Sequence, residues 1–280
     1  MIDHIDGAID YDEQSPRRGD APTVVLLPGS CSTAAAWRPM IAAWNGRFRC
    51  VTTSLLGYGG TQERRTPQDA ALWREAEIVE AVIRRAGGPV HLVGHSFGGL
   101  VALAVAQRWQ APICSLAILE APAAEILRDR CELAHYDEFR RMSAAYFAEF
   151  DAGVVDAIAR MIDFYGGAGT WASWPQKLRD YAIKTTPANI LDWIGAYAWP
   201  LKATALATLA VPTLVCTGEN SHPAVRRANE LLGEVIPASN TTTLAGASHF
   251  MIATHADRLA AIVAHHVARA ERARHEQRAA

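Results

Sequence analysis

The feature that most constrains this chain is an alternation of short apolar runs with longer amphipathic ones. Thr23–Gly29 (TVVLLPG), Arg49–Leu55 (RCVTTSL), Pro89–Ser96 (PVHLVGHS), Ser115–Pro122 (SLAILEAP), Val211–Gly218 (VPTLVCTG) and Asn240–Gly246 (NTTTLAG) read as strands. Most are continuously apolar and close on Gly or Pro, as strands buried on both faces do. Between them lie helical patterns. Leu72, Ala76, Val79 and Ile83 fall on one helical face, with Gly87 as a stop. His255–Ala270 (HADRLAAIVAHHVARA) repeats that spacing. Strands alternating with helices predict an α/β protein with a mostly parallel, doubly wound sheet covered on both faces. Upstream, Gly7–Gln14 (GAIDYDEQ) reads as a hairpin, and Gly19–Pro22 as the loop that leads into the first buried strand.

The alternation stops after Ala121. From Glu125 to about Trp199 the patterns are helical, with no convincing strand. Aromatics concentrate there, among them Tyr146, Tyr165, Trp171, Trp174, Trp193 and Tyr197. Two parallel strands need only one crossover helix between them, so the stretch is read as an insertion. The expected organisation is a core of residues 1–122 and 201–280 and a helical cap of residues 123–200 over the sheet's C-terminal edge. Most of the aromatics should fill the cap's own core, with a minority facing a cavity.

Composition narrows the function. Half the residues are apolar, enough for a large core, and the formal net charge is −2, which offers nucleic acid no electrostatic footing. The start, MIDHIDGAID, is acidic and has no apolar core, so no signal peptide is expected. No apolar run is long enough to cross a bilayer, and a cytoplasmic location is the default. The five cysteines, Cys31, Cys50, Cys114, Cys131 and Cys216, include no CxxC pair. Buried free thiols are the expectation, and no clustered Cys/His set for zinc is visible.

The chemistry gathers at Gly94–Gly99 (GHSFGG), which matches G-x-S-x-G between a strand and a helix. Ser96 there either caps the helix or is a nucleophile raised on a sharp turn, and the strand–turn–helix context favours the nucleophile. The small residues Gly94, Gly98 and Gly99 fit a turn where neighbouring backbone crowds any side chain. The positive end of the following helix favours negative charge beside Ser96. A serine hydroxyl needs a base, and His249, directly after the last strand, is the candidate. His255 opens the final helix, His265 and His266 lie within it, His91 lies in a strand, and His95 flanks the serine and points inward.

Taken together, the order of strands, GHSFGG, the loop LLPGSCSTAAAW, the helical insertion and the late GASHF resemble the α/β-hydrolase family over nearly the whole chain. The resemblance implies an oxyanion hole made by the backbone N–H groups of Ser30 and Phe97, although the loop reads Pro28-Gly29 where the family usually has His-Gly. It also implies a triad acid. The family's common aspartate position is Ser221 here, with Glu219 nearby. The other location the family uses, the end of the strand before the insertion, holds Glu120. A carboxylate there is costly to bury unpaired, and His249 would offset that cost. Glu120 is therefore the favoured acid and Glu219 the rival. Cys31, Trp171, Trp174 and Phe250 are the candidate substrate contacts.

What the resemblance implies is a serine hydrolase that cleaves a carboxylic ester of an apolar or aromatic small molecule through an acyl-enzyme, without metal or organic cofactor. The serine argues against the haloalkane dehalogenases and epoxide hydrolases of the family, which use an aspartate nucleophile. Carbon–carbon bond hydrolysis of a diketone-like compound, or a low-turnover ligand receptor on the same fold, stay open at this stage. The expected partner is a small-molecule substrate, not nucleic acid or membrane, and a homodimer is left open.

Overall fold

A computed structural model describes residues 1–4 and 7–279. The strands are β1 (Ile2–His4), β2 (Gly7–Ile9), β3 (Asp12–Gln14), β4 (Thr23–Leu27), β5 (Arg49–Thr52), β6 (Val90–His95), β7 (Ile113–Leu119), β8 (Thr213–Gly218) and β9 (Ser239–Leu244). The α-helices are α1 (Arg38–Trp44), α2 (Trp73–Ala86), α3 (Phe97–Arg108), α4 (Ala124–Asp129), α5 (Leu133–Asp151), α6 (Ala159–Gly166), α7 (Thr170–Ser173), α8 (Gln176–Ala198), α9 (Ala203–Leu206), α10 (Pro223–Val235), α11 (Met251–Thr254) and α12 (Ala256–Ala279).

Seven strands form the main sheet in the order β3-β5-β4-β6-β7-β8-β9, and β3 alone runs antiparallel to its neighbour. The sheet is doubly wound. Val25, Leu27, Val51, Leu92, Leu116, Ile118 and Val215 feed one core, together with the apolar faces of α2, α3 and α10. Their neighbours in sequence, Val24, Leu26, Cys50, Val93, Ala117, Leu119, Leu214 and Cys216, feed a second core against α1 and α12. A strand whose successive side chains point to opposite faces buries all of them if both faces are covered, so it is mostly apolar and its polar members, such as His91 and His95 of β6, need hydrogen-bond partners. That is why β6 is buried at all six positions. The α2 helix ends at Gly87, which adopts the left-handed conformation (φ 75°) that the periodicity assigned to a stop.

The N-terminal segment departs from the sequence reading. The hairpin is made by β1 and β2, with Ile2 opposite Ile9. It is not made within Gly7–Gln14, because β3 leaves it to pair with β5, Gln14 opposite Cys50. The reason is edge protection. Without β3 the β5 strand would expose a row of unpaired backbone groups. Glu13 and Arg49 secure the contact with an ion pair at 2.7 Å.

Between β7 and β8 the chain runs through α4 to α9 and contributes no described strand to the sheet. The α4 helix packs on α5, α8 and α10, and α6 on α5 and α7. The sheet reverses its winding between β4 and β6: β5 lies to one side of β4 and β6 to the other. Loops leaving the C-terminal ends of two such strands diverge and open a crevice. Residues 28–30 leave β4 there, and Ser96 leaves β6. No described helix is long and apolar enough to cross a membrane.

Candidate active site

Ser96 joins β6 to α3 in a conformation that side chains rarely adopt, φ 52° and ψ −127°. Backbone packing enforces the turn. A Cβ on Gly94 would stand 2.2 Å from the Gly98 carbonyl oxygen, and one on Gly98 would stand 2.4 Å from the Leu27 carbonyl oxygen. Gly99 is less constrained, its nearest neighbour being the Gly94 oxygen at 3.1 Å. The Ser96 side chain makes no capping hydrogen bond to α3. Its Oγ instead lies 2.9 Å from His249 Nε2.

His249 sits in the loop between β9 and α11 and is 2% exposed. Its Nδ1 lies 2.8 Å from Glu120 Oε2. Glu120 follows β7 at φ 53° and is fully buried. The other carboxylate oxygen, Oε1, accepts the Gly218 N–H at 2.5 Å. Both oxygens are thus engaged, as a buried carboxylate requires. Glu219 turns away, and its Oε2 accepts the Gly246 N–H at 2.7 Å. Ser221 is buried and its Oγ has no partner.

The imidazole is enclosed on several sides. The Tyr165 ring stacks on it with centroids 4.1 Å apart, and Phe250 meets it edge-on at 5.5 Å. His95 Nε2 lies 2.8 Å from the His249 carbonyl oxygen. Burial pulls the His95 imidazole down to about 3, so it is neutral.

A cavity of about 370 Å³ opens beside Ser96, and Gly29, Ser30, Cys31, Trp174, Trp193 and Phe250 are among its walls. A Cβ on Gly29 would come within 2.8 Å of Ser96 Cβ, so only glycine lets the Pro28–Ser30 loop approach the serine this closely. Phe97 begins α3, where the first N–H groups have no partner within the helix. Of the expected substrate contacts, Cys31, Trp174 and Phe250 line the cavity. Trp171 does not. It packs behind Trp174 with centroids 6.2 Å apart, because Asp163 Oδ1 holds its backbone N–H and turns the short α7 helix that way. Burial pushes the Cys31 thiol up to about 12, which keeps it protonated and poorly nucleophilic. Cys50, Cys114 and Cys216 are buried as expected, whereas Cys31 is half-buried and Cys131 is exposed on the turn between α4 and α5.

These residues stand at the C-terminal ends of β4, β6, β7 and β9, and a sequence model described as the alpha/beta hydrolase family matches residues 24–262. The chain belongs to the alpha/beta hydrolase family. Among curated proteins of this kind, it is 25% identical over 259 residues to the pimeloyl-[acyl-carrier protein] methyl ester esterase of Aeromonas hydrophila, a match covering 90% of this chain and 97% of the relative. Protein phosphatase methylesterase 1 of Bos taurus is 29% identical over 117 residues, 39% of this chain. The matches to the first curated relatives span only 39%, 40% and 31% of those relatives' own lengths. Among solved structures, a thermophilic esterase from Thermogutta terrifontis superposes with a TM-score of 0.74 at 18% identity, covering 94% of this chain and 93% of that one. The enol-lactonase from Burkholderia xenovorans LB400 gives 0.71 at 20% identity, covering 93% and 96%.

Within this hydrolase, two groups escaped the sequence reading. The first is a buried polar network. Arg65 contacts Glu63 at 2.7 Å, Glu75 at 3.0 Å and Asp192 at 2.9 Å. Asp192 also accepts hydrogen bonds from Ser30 Oγ at 2.5 Å and Tyr58 Oη at 2.6 Å. Burial raises the Asp192 carboxyl above the ordinary aspartate range and pushes Glu75 up to about 7, with Arg65 opposing both. A helical face carries the signal that could have been read: Asn189, Asp192, Trp193 and Ala196 all line the cavity. The second group is His91, Cys114 and Glu271, whose ligand-type atoms lie within 4.8 Å of one another. His91 pairs with Ser115 at 2.8 Å and Glu271 at 3.3 Å, and Glu271 accepts from Arg274 at 2.5 Å. His91 and Cys114 lie near the N-terminal ends of β6 and β7, away from Ser96, and Glu271 reaches them from α12.

Proposed function

We propose that this protein hydrolyses carboxylic esters of small molecules with an apolar portion, using Ser96 as nucleophile, His249 as general base and acid, and Glu120 as the acid that orients His249. The observation that carries this reading is the continuous chain from Ser96 Oγ to His249 Nε2 at 2.9 Å and from His249 Nδ1 to Glu120 Oε2 at 2.8 Å. Ester as the scissile group is supported by relatives whose names include methyl ester esterase and methylesterase. An apolar portion is supported by Trp174, Trp193, Phe250 and Ile252 in the cavity wall.

In the mechanism, Ser96 Oγ attacks the ester carbonyl carbon while its proton passes to His249 Nε2. Negative charge develops on the carbonyl oxygen. The N–H groups of Ser30 and Phe97 receive it, each donor being worth about 3 kcal/mol. The positive end of α3 adds to that field. The imidazolium is stabilised by the buried Glu120 carboxylate, which also holds the neutral ring in the tautomer with its proton on Nδ1. Collapse breaks the bond to the alkoxy oxygen, and His249 Nε2–H protonates the leaving alcohol. Water then gives its proton to His249 and attacks the Ser96 ester. The acid departs and Ser96 regains its proton. Residues 123–200 act as a cap: α6 brings Tyr165 onto the imidazole, and α8 supplies one wall of the cavity.

The test is covalent labelling. A fluorophosphonate should add one label to the wild-type protein and none to Ser96→Ala. A label that survives in Ser96→Ala would place the nucleophile elsewhere and overturn the reading.

A further inference from the structure

Asn189 poses a physical problem that the proposed chemistry does not use. It is 1% exposed, lines the cavity, and its Oδ1 has no hydrogen-bond partner. A buried amide oxygen left unpaired is destabilising, and such groups in folded proteins have a specific reason. The local charge indicates what is missing. One turn along the same face of α8, Asp192 is already engaged, its Oδ2 accepting from Ser30 and Tyr58 and its Oδ1 facing the Arg65 guanidinium at 2.9 Å. Around Arg65 three carboxylates, Glu63, Glu75 and Asp192, face one guanidinium. This end of the cavity therefore offers a free acceptor in surroundings richer in acceptors than in cations. A carboxylate entering it would meet like charge.

We infer that Asn189 is a specificity residue, which accepts a hydrogen bond from a donor group on the substrate, an alcohol hydroxyl or an amide N–H, and that this end of the cavity refuses substrates ending in a carboxylate. The Ser30–Asp192 bond ties this subsite to the loop beside Ser96. The donor would then be read in the same cavity in which the ester is cleaved. The inference rests on the esterase reading for the kind of ligand, but its test does not depend on turnover.

The experiment is calorimetric binding to Ser96→Ala and to Ser96→Ala/Asn189→Leu. The probes are ethyl esters of unbranched acids from propanoate to octanoate, each with a terminal methyl, hydroxyl or carboxylate. At one chain length the hydroxyl ester should bind about fivefold tighter than its methyl counterpart, the worth of one hydrogen bond, and the carboxylate should bind weakest. Asn189→Leu should abolish the hydroxyl advantage while methyl esters bind undiminished, which also shows that the cavity is intact. If methyl esters fail to bind the leucine variant, Asn189→Ala is read by the same criterion. The inference is overturned if no chain length favours the hydroxyl, if the advantage survives both substitutions, or if the carboxylate binds tightest. Fluorophosphonate labelling of the wild-type protein reports separately on Ser96, so failure of the subsite and failure of the esterase reading are distinct results.

Discussion

Replacing Glu120 by Gln tests the acid through a constraint visible in its two oxygens. Oε1 accepts the Gly218 N–H at 2.5 Å, and Oε2 faces His249 Nδ1 at 2.8 Å. A carboxylate satisfies both donors, and a carboxamide satisfies only one. If the amide oxygen stays on Gly218, its NH2 faces His249 and forces the proton onto Nε2, the tautomer that cannot take a proton from Ser96. If the amide turns over, its NH2 meets the Gly218 N–H, and two donors confront each other in a site with no exposure. Leaving a buried donor unpaired costs about 1–3 kcal/mol. Losing a negative charge beside the imidazolium adds a further amount of similar or larger size. The sum is about 4–5 kcal/mol in the barrier, or roughly 10³–10⁴ in rate. The assay is the rate of fluorophosphonate labelling together with kcat on a p-nitrophenyl ester, with circular dichroism and thermal melting to establish that the variant folds. A folded Glu120→Gln protein that labels within tenfold of the wild-type rate would refute the reasoning.

Three further outcomes are expected. Gly98→Ala should lower the yield of folded protein, or destabilise it by about 3 kcal/mol in urea unfolding, because the new Cβ would meet the Leu27 and Pro28 carbonyl oxygens at 2.4 and 2.5 Å; an unchanged unfolding midpoint would contradict the packing argument. Arg65→Ala should cost about 3–5 kcal/mol, since it leaves the buried Glu75 and Asp192 without their cation, whereas a loss of under 1 kcal/mol would show that the two carboxyls are neutral in the folded protein. Burial depresses His91 and His266 to about 4 and His95 to about 3, so below the unfolded value near 6.5 the unfolded chain binds protons that the folded chain refuses. Stability from these groups is therefore intact above about pH 6.5 and is lost as pH falls towards 3, by about 2 kcal/mol per imidazole between pH 7 and pH 5; urea midpoints at the two pH values check this, and His266→Gln should flatten the slope.

The sequence by itself determined the main strands and helices of the sheet and the serine and histidine of the proposed site. Five of the six strands read from the sequence, β4 to β8, lie on mostly apolar, buried runs, because a strand covered on both faces leaves little room for a polar pattern, whereas β9 (SNTTTL) is an edge strand that is largely exposed. Ser96 was legible because its turn needs small neighbours next to it in the chain, a purely local demand. Cys31, Trp174 and Phe250 were legible from their place on loops or on the aromatic-rich insertion. Tertiary structure decided what depends on direction or on distant partners. Glu120 and Glu219 are both carboxylates near strand ends, and only the packed sheet turns one to His249 and the other to Gly246. Trp171 and Trp174 are three residues apart, and the orientation of a single helical turn sends only Trp174 into the cavity. The segment of β3 fell within the hairpin read over Gly7–Gln14, but its true partner was hidden, because three exposed polar residues are held there by the unpaired backbone of β5, which no local pattern records. Asp192 meets Ser30 across a separation of 162 residues, and Arg65 meets it from a third segment. Charges buried in pairs carry no signature in the chain, since each looks like a surface residue until the fold removes water from all of them together.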